Sequence, residues 1–183
     1  MNTLGKIVAL SVLVSPIHAS ADALPKPVEA LSGLVGTWKG GGSISTGKDV
    51  AKIDATWSCK RTSAQFGVLC TFHVTGIPGV PVYEETDLLG YDPNANTYHW
   101  YSVTNAGETH DHVASAPSGS AFQFVYTSTQ QGQPFKEVID LVFTKDPKRA
   151  SGRAETFVGG ASGSVMQVDL KTTGPPGRAT RPR

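Results

Sequence analysis

From Thr37 onward, apolar and polar positions alternate with a period of two rather than 3.6. Ile53, Ala55, Trp57 and Cys59 take turns with Asp54, Thr56, Ser58 and Lys60, the pattern of a strand with one face buried and one in water. Phe122, Phe124 and Tyr126 alternate in the same way with Gln123, Val125 and Thr127. Turn formers separate such stretches: Gly76-Ile77-Pro78-Gly79, Asp92-Pro93-Asn94-Ala95-Asn96, Asn105-Ala106-Gly107, Pro117-Ser118-Gly119 and Asp146-Pro147-Lys148. The segments between them predict about ten short strands, the last five running through Glu108–Ser115, Phe122–Tyr126, Phe135–Thr144, Ser151–Val158 and Ser164–Lys171. Ahead of them Val28–Leu34 reads as a short helix led by Pro27. The expected fold is all-β: a meander whose neighbouring strands pair and which closes into an antiparallel up-and-down barrel, because closure removes the exposed edges.

The stretch Leu31-Ser32-Gly33-Leu34-Val35-Gly36-Thr37-Trp38 joins that helix to the first strand. A Gly just before a large aromatic lets the backbone bend, and the Trp can then plug the base of the barrel. Gly40, Gly41 and Gly42 follow and permit close backbone approach where a barrel strand curls.

Composition adds an address. Met1–Ala21 has the layout of a secretory leader: Lys6, the apolar run Ile7–Val14, and Ala19-Ser20-Ala21 as a cleavage site. The run is too short for a membrane span, which needs roughly 20 residues. Residues 22–171 then form one barrel domain, and 172–183, rich in Pro, Gly and Arg, a disordered tail. The product is expected in the periplasm or outside the cell. There, Cys59 and Cys70 would meet across a hairpin as a disulfide if its turn centres between Ala64 and Gln65; two buried free thiols are the alternative. The whole chain carries a formal net charge of +1 with no basic stripe, so nucleic acid is a poor partner.

Val35-Gly36-Thr37-Trp38-Lys39-Gly40 resembles the Gly-x-Trp opening of the lipocalin-like, or calycin, barrels and, more distantly, of nitrobindin-like domains. Leu89-Gly90-Tyr91-Asp92-Pro93, followed by Tyr98-His99-Trp100-Tyr101 and Asn105-Ala106-Gly107, is similar to a bacterial exported lipocalin-like family of unknown function. The resemblance implies a barrel with an internal cavity and Trp38 across its closed end. It also implies a cation from a late strand over that ring, with Arg153 or Lys171 to supply it. Nitrobindins bind haem through a His near the final strand; Ser164–Leu170 contains none, so haem is not expected by that route.

For chemistry, the strongest local grouping is His99, His110 and His112. His110 and His112 lie two apart and share a strand face. A turn centred on Asn105-Ala106 would set His99 opposite His112 and bring three imidazoles together, a candidate zinc or other transition-metal site. A shift of one residue takes His99 off that face and leaves the histidines as polar lining. Tyr83, Glu85, Tyr98, Trp100 and Tyr101 are candidate lining for a cavity holding a small apolar or aromatic ligand. Whichever of Glu84, Glu85 and Asp87 points inward needs a partner. No serine-nucleophile elbow, His-Glu-x-x-His or phosphate loop occurs. The expected function is therefore an exported, non-catalytic binding barrel. A metal-binding barrel, possibly a zinc enzyme, is the alternative, and an interaction module acting through its outer surface a third.

Overall fold

A computed structural model describes residues 25–115, 117–145 and 148–174; the leader and residues 175–183 of the expected tail lie outside the described residues. The two-residue alternation forms ten strands: β1 (Gly36–Thr46), β2 (Asp49–Arg61), β3 (Gly67–Thr75), β4 (Tyr83–Asp92), β5 (Thr97–Thr104), β6 (Thr109–Ala114), β7 (Ala121–Gln130), β8 (Gln133–Lys145), β9 (Lys148–Val158) and β10 (Ala161–Gly174). Each pairs antiparallel with its chain neighbours, and β10 returns to pair with β1, closing the barrel. β10 runs through Gly174, so residues 172–174 are strand where the tail was expected to have begun.

Ile53, Ala55, Trp57 and Cys59 on β2 all face the core, as the alternation requires. Closure brings β1 and β10 together at the glycines: a Cβ at Gly40 would strike the Asp169 carbonyl oxygen, and one at Gly42 that of Gln167. Cys59 lies directly opposite Cys70 and is disulfide-bonded to it, with Cα atoms 4.1 Å apart. The seam between β6 and β7 is the thinnest. Among the described residues these strands register only at Val113 opposite Val125, whereas β7 and β8 pair continuously from Ala121 to Gln130.

One end of the barrel is stoppered. The expected helix is a short α-helix, α1 (Lys26–Ala30), followed by a 3-10 turn (Leu31–Leu34) that drives Leu31 and Leu34 into the core. Trp38 is fully buried beneath them and its Nε1–H donates to the Leu34 carbonyl at 2.7 Å. Arg61 ties the plug down through the Val28 carbonyl and the Ser32 hydroxyl, and the Tyr98 hydroxyl donates to the Pro27 carbonyl at 3.1 Å. The cation over Trp38 is Lys148, whose Nζ lies 5.5 Å from the ring centroid, and neither Arg153 nor Lys171. Lys148 opens β9 at the plugged end. Arg153 sits farther along that strand between Asp140 and Gln167, and Lys171 is exposed beside Lys39.

Candidate functional site

The interior holds a cavity of about 250 Å³ above the core, reaching the unplugged rim at Thr104, Glu108 and Gln130. Its walls are rings and aliphatic groups, among them Trp57, Phe72, Trp100, Phe135, Ile139 and Val168. Two polar groupings interrupt them.

The first comes from β4, where the two-residue period turns Tyr83, Glu85 and Asp87 inward and leaves Glu84 exposed. Asp87 has no exposed surface. Its Oδ1 accepts from Trp100 Nε1 at 2.8 Å and its Oδ2 from Trp57 Nε1 at 3.1 Å, and the carboxyl also hydrogen-bonds Glu85. Burial holds Asp87 well above the usual carboxylate range, reinforced by the Glu85 charge and only partly opposed by the two indoles. Asp87 therefore keeps a proton and donates it to Glu85. Glu85 receives a second donor, the Tyr83 hydroxyl, at 3.0 Å. Burial, ahead of the charge and hydrogen bond of Glu85, pushes the Tyr83 phenol up, so it stays a donor. The result is a relay of indoles to Asp87 to Glu85, ending on a carboxylate oriented at the cavity wall.

The second grouping joins β6 to β8 across β7. His110 and His112 point inward, and Glu137 places Oε2 3.0 Å from His110 Nδ1 and 2.9 Å from His112 Nε2. Burial works to raise Glu137, but the hydrogen bonds and charges of His112 and His110 outweigh it and hold the carboxylate below its usual range. His112 Nδ1 lies 3.3 Å from the Trp100 carbonyl oxygen. A carbonyl only accepts, so that nitrogen carries hydrogen and the ring is fixed with Nε2 toward Glu137. Tyr126 stacks on His110 with centroids 4.2 Å apart. Among the described residues no buried side-chain nitrogen or oxygen lacks a hydrogen-bond partner.

His99 does not join them. Trp100, not His99, lies opposite His112, and His99 pairs with Val113 and points outward, where its Nδ1 meets Asp111 at 3.0 Å. The turn explains the shift: Gly107 adopts φ +85° and donates to the Thr104 carbonyl, while the Thr104 N–H donates to the Glu108 carbonyl across a three-residue loop, moving the register by one from a turn centred on Asn105-Ala106. The same shift turns Tyr101 outward, where it is 46% exposed, so it lines no cavity. Tyr98 does face inward but packs at the plugged end between Tyr91 and Phe122. Tyr83, Glu85 and Trp100 line the cavity as expected. Arg153 also reaches the cavity wall, far from Trp38, and pairs with Glu155 at 2.7 Å.

Glu137 was missed from the sequence, although a signal was present. Phe135, Ile139, Leu141 and Phe143 form an inward row on β8, and Glu137 is the one charged residue standing in that row between Phe135 and Phe143. A carboxylate in an otherwise apolar row must have a partner waiting. No protein-family model matches this chain, and no curated protein is significantly similar to it, so the reading of the cavity rests on its own chemistry.

Proposed function

We propose that the protein is an exported binding barrel that holds a small, largely apolar or aromatic ligand in this cavity. One observation carries the reading: an aromatic-walled space of about 250 Å³ with an oriented carboxylate, Glu85, on its wall. Cavities of about 150 Å³ already accept a benzene ring, so this one suits a single substituted ring or a compact bicycle. Trp57, Phe72 and Trp100 offer ring contacts, and Glu85 selects for a ligand that carries a hydrogen-bond donor or a positive charge. Export is supported by the leader pattern at Met1–Ala21, and the Cys59–Cys70 disulfide suits an oxidising compartment such as the periplasm or the medium.

The test is native mass spectrometry of protein purified from the periplasm with chelator present. The reading expects the mass of a chain cleaved after Ala21, carrying an organic adduct that leaves on denaturation. It also expects Ala154→Phe, which fills the cavity from β9, to abolish the adduct while the far-ultraviolet spectrum of the barrel is kept. A bare chain, or an adduct indifferent to Ala154→Phe, refutes binding in the cavity.

A further inference from the structure

We propose that His110, His112 and Glu137 form a three-ligand site for a divalent transition metal, with zinc the best fit, whose fourth position opens to the barrel cavity. The same three side chains line the cavity, and metal binding there requires no organic ligand. The donor set is two imidazole nitrogens and one carboxylate oxygen, the borderline combination that suits zinc and its neighbours rather than calcium or magnesium. His110 Nδ1, His112 Nε2 and a Glu137 oxygen lie within 4.8 Å of one another. In a tetrahedral complex with bonds of about 2.0–2.1 Å, donor atoms sit about 3.3 Å apart. The two imidazole-to-carboxylate separations of 3.0 and 2.9 Å are short of that by only a few tenths of an ångström. Small side-chain rotations therefore admit an ion where hydrogens are now shared.

Three further features go beyond what a simple hydrogen-bonded triad requires. Metal-bound histidines commonly donate their other N–H to a carbonyl or carboxylate, and His112 does so to the Trp100 carbonyl, which aims Nε2 inward. The His110 ring is held by stacking on Tyr126 and by the tilted ring of Phe135, which limits its loss of freedom on binding. Lastly, all three residues line the cavity, so the remaining coordination position faces open space rather than a fourth side chain. Structural zinc sites are closed by four protein ligands, whereas three with an open position is the arrangement that leaves room for water or a small donor molecule.

The experiment is a calorimetric titration with Zn²⁺ of the secreted chain after stripping with chelator and dialysis. One equivalent should bind. His112→Ala and Glu137→Gln should each weaken binding by about 100-fold or more, since loss of an outer partner alone typically costs 10–100-fold. His99→Ala, on the outer surface, should change nothing. X-ray absorption at the zinc edge of the unmutated protein keeps the proposal open to refutation should a variant fail to fold: the shell must contain two imidazoles and oxygen. Absence of binding, a shell with other than two imidazoles, or loss of the site on His99→Ala overturns the proposal. Zinc bound without any organic adduct supports this site while leaving the small-ligand reading to fail by its own test.

Discussion

Asp87→Asn should reverse its effect on stability as the pH rises. The wild-type carboxyl is wholly buried between two indole N–H groups and Glu85, and its burial keeps it protonated well above the usual range. An asparagine can copy most of that acid: Oδ1 accepts from one indole and Nδ2 donates to Glu85. Its nitrogen cannot accept, so the other indole N–H is left without a partner, at about 1–3 kcal/mol. Near pH 3, where Asp87 is largely protonated in both folded and unfolded chains, the variant should be less stable by that amount. Above pH 3.9 or so, the unfolded chain releases the Asp87 proton while the folded one keeps it. The folded state then binds more protons than the unfolded, so wild-type stability falls with pH by about 1.4 kcal/mol per unit from this group, levelling off only above its raised folded-state value. The asparagine variant lacks that slope. The two stability curves should therefore cross between about pH 4.5 and 6, with the variant the more stable of the two above the crossing. Urea unfolding followed by tryptophan fluorescence, at matched pH values from about 3 to 8, measures the difference directly, and titrations of groups distant from residue 87 cancel. A difference constant with pH would refute the buried proton.

Other expectations follow from the same geometry. Replacing Cys59 and Cys70 by Ala opens a loop with a sequence separation of 11 and should lower unfolding stability by about 2–3 kcal/mol, read from urea midpoints. Gly42→Ala drives a Cβ into the Gln167 carbonyl at the closure between β1 and β10, so it should cost at least about 2 kcal/mol, visible as a large drop in Tm. Lys148→Met removes the cation over Trp38 but keeps most of the stem, and should cost no more than about 1 kcal/mol.

The barrel was legible because alternation of apolar and polar residues is read locally, and turn formers at regular spacing mark where each strand ends. The Cys59–Cys70 pairing was legible for the same reason, since a hairpin turn centred between Ala64 and Gln65 dictates it. The histidine site was only half legible. Whether His99 joins it depends on one glycine, Gly107, taking a left-handed conformation that lengthens the loop by the single residue that inverts the face. Glu137 lies 25 residues from His112, and no local rule pairs β6 with a strand two places away around the barrel wall. The cation over Trp38 was misplaced because Lys148 reads locally as part of the turn Asp146-Pro147-Lys148, whereas in the fold it opens β9 beside the plug. Sequence periodicity gives the facing of a side chain; its height along the barrel axis comes from strand stagger, which no short stretch encodes.

The thin seam between β6 and β7 has a kinetic consequence. A closed barrel opens locally where the fewest backbone hydrogen bonds cross its wall. That place is β6 against β7, and the contacts of His110 and His112 with Glu137 on β8 reach over it like a latch. Hydrogen exchange should accordingly run faster along β6 than along β8 and β9, whose pairing is continuous.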